Sequence, residues 1–149
     1  MHNKFTVGWR EWVMFPELNI PAIKAKVDTG ARTSALHAFY VTPFDRSGIK
    51  MVKFGIHPDP KNSSIERHCE AELIDQRSIT NSGGHSELRH IIKTPITLGD
   101  HTWDIKISLT NRETMKFRML LGRTAMKNKI IVDPSKSYCF GKKLASIYK

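Results

Sequence analysis

The chain has 149 residues, of which 40% are hydrophobic and 9% aromatic, so it is long enough to bury a core and is expected to form one domain, residues 1–149. Lys and Arg number 24 against 14 acidic residues, a net charge of +10 that predicts attraction of polyanions or acidic peptides. No helix-turn-helix, zinc-finger or aromatic RNA-binding signature accompanies the scattered basic residues, so an acidic protein or the ribosome is favoured over specific nucleic-acid recognition.

The cysteines and the N-terminus indicate the compartment. Cys69 and Cys139 are the only cysteines and form no Cys-x-x-Cys pair, which favours free thiols in a reducing compartment and leaves a single bridge open. Residues 1–6 lack an apolar signal-peptide core, and no apolar run is long enough to cross a bilayer. We therefore expect a cytoplasmic protein without a membrane partner.

Short alternating runs begin the chain. Residues 7–14 predict a strand that ends at the turn marked by Pro16, and residues 20–27 predict a strand that delivers Asp28. Residues 33–40 are small and apolar, and their propensities allow either a further strand or a short helix. The first part of the chain thus predicts β structure with one ambiguous stretch.

The middle of the chain continues this pattern. Residues 50–56 alternate as a strand, residues 59–64 read as a loop, and residues 69–74 predict a short strand. Residues 80–86, with two adjacent glycines, then predict the turn of a hairpin whose tip can move.

The strongest hairpin signal lies further on, where two alternating runs, residues 96–98 and 103–109, flank the turn signal Gly99-Asp100. Residues 119–121 predict a short buried strand, and residues 123–128 a brief helix. The chain ends with predicted strands at residues 130–132 and 137–140. Frequent short strands and few helical periods indicate a mainly β, barrel-like domain.

The candidate chemistry lies at Asp28-Thr29-Gly30. A carboxylate after a strand and before a glycine can be held by backbone N–H groups in a tight turn, because glycine tolerates positive φ. Far downstream, an apolar strand ends at Gly122, which admits close backbone approach. An isolated Asp-Thr-Gly is usually an ordinary turn, so the pairing of the two stretches is what indicates a site.

Asp28-Thr29-Gly30-Ala31 followed by Leu120-Leu121-Gly122-Arg123 resembles the signature of retropepsin-like aspartic peptidases. More narrowly, residues 28–38, 109–113 and 120–123 resemble bacterial proteins classed as ATP-dependent zinc proteases, companions of ATP-grasp glutamate ligases that modify a ribosomal protein. This resemblance covers about residues 7–140. It implies a mainly β, retropepsin-like barrel, closed or partly open, with a single lobe and few short helices.

The resemblance also implies a catalytic role for Asp28. Aspartic peptidases need two carboxylates that share one proton, and this chain has one Asp-Thr-Gly. The second Asp28 must therefore come from another copy, which implies a homodimer. By the resemblance, Thr29 bonds to the partner's loop, Gly30 permits the turn, and residues 120–122 (Leu120, Leu121 and Gly122) support the active-site loop.

Other residues are candidates for binding substrate. Retroviral members usually carry an aspartate after Asp-Thr-Gly-Ala, whereas this chain has Arg32 beside the small residue Ala31, and a guanidinium there can clamp a substrate carboxylate. Arg89 and Arg123 are weaker candidates, equally explained as solvated charges or ion-pair partners. The residues Ser82, Gly83 and Gly84 fall where the retropepsin flap lies, so they predict either a lid or an ordinary surface hairpin.

Metal and ATP signatures are absent from the sequence. No His-Glu-x-x-His motif occurs, and the dispersed residues His37, His68, Cys69, His85, His90 and His101 do not form a ligand pattern, so neither metal nor other cofactor is predicted. No Gly-x-x-x-x-Gly-Lys-Ser/Thr loop occurs either, so any ATP dependence would belong to a partner.

Together these features predict an aspartic-type endopeptidase that hydrolyses amide bonds in acidic, glutamate-rich or polyglutamylated peptides. Two alternatives stay open. One is a non-catalytic module of the same fold that binds an acidic partner, and the other is a zinc-dependent peptidase.

Overall fold

The computed structural model of the chain describes residues 3–80, 83–111 and 116–148. It is mainly β, with 56% of the described residues in strands and 6% in helices. The strands within these ranges are β1 (Phe5–Val7), β2 (Arg10–Phe15), β3 (Ile20–Val27), β4 (Ser34–His37), β5 (Tyr40–Arg46), β6 (Ile49–Ile56), β7 (Arg67–Thr80), β8 (Ser86–Leu98), β9 (His101–Thr110), β10 (Met119–Leu121) and β11 (Ile130–Val132). The helical segments are α1 (Arg123–Met126) and a 3₁₀ helix (Lys143–Ser146).

Six strands form the barrel that positions the site. They are hydrogen-bonded in the order β2, β3, β10, β4, β9 and β8, and the pairing of Met14 in β2 with Thr97 in β8 closes the ring. Alternate side chains point inward, so that Ile23, Leu36 and Met119 are fully buried in one core. The predicted mainly β, retropepsin-like barrel is confirmed.

The outer strands extend this barrel on one side. β7 pairs with the first half of β8, and β6 and β5 follow in antiparallel order. The predicted hairpin around residues 80–86 is confirmed, and so is the hairpin of residues 96–109. However, β7 runs over Arg67–Thr80, whereas the sequence predicted only residues 69–74, because exposed residues in its second half are held by pairing with β8 rather than by burial.

The strand predicted over residues 7–14 is interrupted at Gly8 and Trp9. A Cβ on Gly8 would lie 2.2 Å from the carbonyl oxygen of Lys136, so close approach of the C-terminal segment ends β1 there. β1 pairs instead with β11 in a separate parallel sheet. The ambiguous stretch at residues 33–40 forms the strand β4 and no helix, because it pairs with β9 and β10 on both edges.

The strand predicted over residues 137–140 was wrong. That segment is irregular, and the fully buried Glu11 carboxylate accepts hydrogen bonds from the backbone N–H groups of Gly8 at 2.8 Å, Cys139 at 2.9 Å and Phe140 at 3.3 Å. A buried side chain thus takes the place of a strand partner. Within the described ranges, no helix has the length and apolar character needed to span a membrane.

Candidate active site

Asp28 is the first residue after β3, and its position is set by strand pairing. The end of β3 pairs in parallel with β10, and the Asp28 N–H donates to the Leu121 carbonyl at 2.9 Å. Its side chain is partly exposed. The N–H of Gly30 donates to Asp28 Oδ1 at 3.0 Å, and the N–H of Ala31 donates to the Asp28 carbonyl at 3.2 Å. The carboxylate is therefore presented to solvent by a hydrogen-bonded turn.

The need for glycine at position 30 has a different cause from the one that turn chemistry suggested. Gly30 is not among the residues with positive φ. A Cβ there would lie 3.2 Å from Asp28 Oδ1, so the glycine allows the carboxylate to fold back onto the backbone N–H. Close approach, and not left-handed backbone, explains this residue.

Gly122 packs against the backbone at the start of β4, beneath the Asp28 turn. A Cβ on Gly122 would lie 2.7 Å from the carbonyl carbon of Thr33 and 2.9 Å from the backbone nitrogen of Ser34. The Gly122 N–H donates to Ser34 Oγ at 2.9 Å, and Ser108 Oγ donates to the Ser34 carbonyl at 3.1 Å, both in the buried interior. Backbone segments from β4 and β10 thus pack directly against each other beneath Asp28.

The start of α1 holds the other side of the loop. The N–H of Arg123 donates to the Ala31 carbonyl at 2.8 Å. Thr124 donates to the Arg32 carbonyl twice, from its N–H at 3.2 Å and from Oγ1 at 2.8 Å. The guanidinium of Arg123 reaches the carbonyl of Gly30 at 3.3 Å. The backbone of residues 28–32 is therefore bonded on both sides.

A cavity of about 600 Å³ opens beside this loop. Its lining combines three cationic side chains, two threonines and the apolar edge of α1 and β11: Thr29, Arg32, Arg123, Thr124, Met126, Lys127, Asn128, Ile130 and Val132. None of the ion pairs in residues 3–80, 83–111 and 116–148 involves Arg32. Positive charge beside apolar walls suits an acidic side chain with an aliphatic stem.

Of the remaining predicted binding residues, Gly83, Gly84 and Arg89 lie on the β7–β8 hairpin. Arg89 Nε donates to Glu87 Oε2 at 3.3 Å, and the Arg89 side chain is only 11% exposed. Thr110 Oγ1 also donates to Glu87, so Arg89 belongs to a polar cluster in the sheet. Gly83 and Gly84 are exposed near the hairpin tip. Ser82 lies outside the described residues, as do Arg112 and Glu113 of the family-like stretch.

Two of the histidines considered as metal ligands make other contacts. His101 stacks on Phe5, with ring centroids 3.9 Å apart, whereas His68 Nδ1 is 2.8 Å from the hydroxyl of Tyr40. In the part of the chain that the structure describes, no group of three or more His, Cys, Asp or Glu side chains could hold a metal ion.

Sequence reasoning missed the residues that hold the loop, chiefly Ser34 and Thr124. Each hydrogen-bonds a backbone group about 90 residues away in sequence, at separations of 88 and 92. A serine in an otherwise apolar strand is the one local signal, since a buried hydroxyl needs a partner.

Comparison with known proteins identifies the family of the chain. The model of the RimB-like family, described as retropepsin-like aspartic endopeptidase RimB, matches residues 6–143. The chain belongs to this family. The resemblance drawn from Asp28-Thr29-Gly30 and the Leu-Leu-Gly-Arg stretch is thereby confirmed.

Related chains carry a different name. Proteins named probable alpha-L-glutamate ligase are 50% identical over 141 residues in Shewanella pealeana and 46% identical over 138 residues in Desulfotalea psychrophila. These matches cover 95% and 93% of this chain but 31% and 30% of the relatives, so the chain spans about a third of their length. A solved structure of a Legionella pneumophila protein of unknown function superposes with a TM-score of 0.78 and 27% identity, covering 93% of this chain and 99% of that one.

Proposed function

We propose that the protein is an aspartic-type peptidase whose catalytic pair consists of Asp28 from each of two copies. The observation that carries the proposal is the Asp28 carboxylate itself, which is partly exposed, held at Oδ1 by the Gly30 N–H and backed by Gly122. Membership in a family of aspartic endopeptidases supports the same chemistry.

The reaction follows from two carboxylates that share one proton. The ionised Asp28 takes a proton from a water molecule as that water attacks the amide carbonyl, while the protonated Asp28 of the other copy donates to the carbonyl oxygen. The tetrahedral intermediate then collapses: the Asp28 that took the proton from water gives it to the leaving nitrogen, the other Asp28 recovers a proton from a hydroxyl of the intermediate, and the C–N bond breaks. Water supplies the hydroxyl of the new carboxyl group and the proton of the new amine, so the reaction balances with water as the only co-reactant.

A homodimer is part of the proposal, because Asp-Thr-Gly occurs once in the sequence. Thr29 and Gly30 are exposed, so a second copy can approach the loop across a two-fold axis. In this arrangement, the Thr29 hydroxyl faces the partner's loop.

The proposed substrates are acidic peptides, with glutamate-rich or polyglutamylated tails as the leading class. The net charge of +10 attracts such chains, and Arg32 stands beside the catalytic loop in a cationic cavity. Relatives named as glutamate ligases carry a domain like this one. We therefore propose that the peptidase works on the products of an ATP-grasp glutamate ligase, with a modified ribosomal protein as a partner.

The decisive experiment is Asp28→Asn, assayed for cleavage of a glutamate-rich peptide. We expect hydrolysis to be lost with little change in unfolding free energy, because the amide keeps the acceptor for the Gly30 N–H but cannot share a proton. Asp45→Asn, on the exposed strand β5, is the control and should retain full activity. Turnover by the Asp28→Asn protein would refute the mechanism, and binding without cleavage by the parent would indicate the non-catalytic module.

Dilution tests the shared pair separately. Activity per chain should fall as the concentration drops below the dimer dissociation constant, since mass action removes the competent species. Specific activity and sedimentation are measured on the same dilution series. Constant specific activity from a species shown to be monomeric would contradict the homodimer. The role of Asp28 would then still be tested by Asp28→Asn.

A further inference from the structure

A second polar site lies where Arg118 immediately precedes β10, away from the Asp28 loop. Met119 of β10 pairs with Leu36 of β4, and both side chains are fully buried in the core. Because successive side chains of a strand point to opposite faces, the adjacent Arg118 and His37 point away from that core. The His37 N–H donates to the Arg118 carbonyl at 2.8 Å, which continues the strand pairing and places the two side chains together.

Arg118 and His37 open onto a cavity of about 300 Å³, whose other described lining residues are Phe39, His57 and Asn111. Arg118 Nη1 donates to His37 Nδ1 at 3.4 Å. Arg118 Nε is buried and has no hydrogen-bond partner among the described residues. None of the ion pairs among the described residues involves Arg118, so its side chain, which lines the cavity, can pair with an acidic group that enters there.

The walls of the cavity favour an anion with an apolar stem. Phe39 and His57 stack face to face with ring centroids 4.2 Å apart, and Glu66 behind them holds His57 Nε2 at 3.4 Å. No described lining residue is acidic. The carboxamide of Asn111 adds a further donor at the rim. The cavity therefore combines the positive charge of Arg118, the amide donor of Asn111 and an aromatic wall.

The cavity is connected to the catalytic loop by a single strand. Leu121, the last residue of β10, accepts the Asp28 N–H at its carbonyl and lies three residues beyond Arg118, which immediately precedes the strand. At a strand rise of about 3.3 Å per residue, this separation is roughly 10 Å. An extended peptide covers the same distance in about three residues.

We propose that this cavity is a subsite that binds the carboxylate of an acidic substrate side chain, two or three residues from the bond cleaved at Asp28. The guanidinium of Arg118 donates from its Nη groups to the carboxylate, and the stem of the substrate side chain packs on Phe39. The distance to the cleaved bond rests on the proposed function. Binding of the carboxylate itself does not.

Binding is measured with the 149-residue chain carrying Asp28→Asn, so that no cleavage interferes. The probe is a fluorescein-labelled oligoglutamate peptide, together with a series in which one glutamate at a time is replaced by glutamine. Arg118→Met removes the guanidinium at similar length, and Arg118→Lys keeps the charge without the paired donors. Arg46→Met is the matched control, because Arg46 is an exposed arginine of β5 paired with Glu70.

We expect Arg118→Met to weaken oligoglutamate binding about tenfold or more, Arg118→Lys less, and Arg46→Met less than about twofold. Glutamine at one peptide position should weaken binding to the parent and have no further effect on Arg118→Met. If the Met variant does not fold, loss of that positional preference in Arg118→Lys provides the same test. Equal losses for Arg118→Met and Arg46→Met, or unchanged binding, would overturn the proposal.

Inorganic phosphate distinguishes a peptide subsite from a site for free anions. Phosphate should displace the peptide weakly and without dependence on Arg118. Displacement that is tight and lost in Arg118→Met would show a phosphate site and refute the inference. If the protein with Asp28 intact cleaves the peptide but Arg118→Met leaves binding unchanged, this subsite alone is refuted. If binding depends on Arg118 but the protein with Asp28 intact does not cleave, only the proposed reaction is refuted.

Discussion

The Asp28 loop and the tip of the β7–β8 hairpin both contain glycine, yet they are held in opposite ways. Beneath the loop, a Cβ on Gly122 would lie 2.7 Å from the backbone of Thr33, and bonds from β10 and α1 fix residues 28–32. At the hairpin tip, Gly84 has a φ of +83° and nothing lies within 4 Å of an added Cβ. Tertiary packing therefore shapes the first turn, and the backbone's own conformation shapes the second.

This contrast matches what the proposed dimeric peptidase would need from each region. A carboxylate that must meet its partner gains from a backbone that cannot shift. A lid gains from a tip with few packing contacts, because such segments open at low free-energy cost. The following substitutions test the contrast, from the largest expected effect on activity to the smallest.

Gly122→Ala should have the largest effect. The added methyl meets backbone atoms on β4 and not a flexible side chain, so overpacking should lower the free energy of unfolding by about 1–3 kcal/mol. Displacement of the Asp28 loop should lower kcat by about 100-fold, since small misplacements are costly in catalysis. Chemical denaturation and steady-state kinetics measure both, and an active, fully stable Gly122→Ala protein would contradict the packing argument.

Ser34→Ala should weaken the same support. It leaves the buried Gly122 N–H without its acceptor at 2.9 Å, which should cost about 1–3 kcal/mol of stability and lower kcat less than Gly122→Ala does. Ser64→Ala is the control, because Ser64 is exposed and bonds only locally with Asn62. Equal stability losses in the two variants would show that the Ser34 hydroxyl has no special role.

Arg32→Ala tests the side chain on this fixed backbone. The backbone carbonyl of residue 32 still accepts the hydrogen bonds from Thr124 in this variant, so the free energy of unfolding should change little. Cleavage of glutamate-rich peptides should fall about tenfold, with a much smaller loss on neutral peptides, and added salt should reduce the difference by screening. Equal losses on both peptide classes would remove Arg32 from substrate selection.

The hairpin prediction uses a matched glycine pair. Gly84 and Gly48 both have positive φ, +83° and +84°, with open space around an added Cβ. Alanine at either position should cost about 1–2 kcal/mol of stability. If the β7–β8 tip closes over substrate, Gly84→Ala alone should also lower kcat/KM, because only that tip is part of the lid. Equal kinetics in the two variants would assign the hairpin a surface role.

The local pattern of the sequence predicted a large part of this fold. The bounds of β3 and the hairpin of β8 and β9 follow from alternation and turn residues, which act over a few positions. The pairing of Asp-Thr-Gly with Leu-Leu-Gly-Arg also predicted the family, and the family model confirms it. By contrast, the strand predicted at residues 137–140 was wrong, because buried Glu11 supplies the acceptors there from 128 residues away.

The sequence by itself determined the β architecture, the family and the identity of the candidate carboxylate, since these depend on residue types at short spacing. Only the tertiary structure decided which hydroxyls hold the Asp28 loop and that Arg118 meets His37 beside an aromatic wall. These contacts join residues 88 and 81 positions apart. Their geometry depends on how strands pair around a closed barrel, and no local periodicity records that pairing.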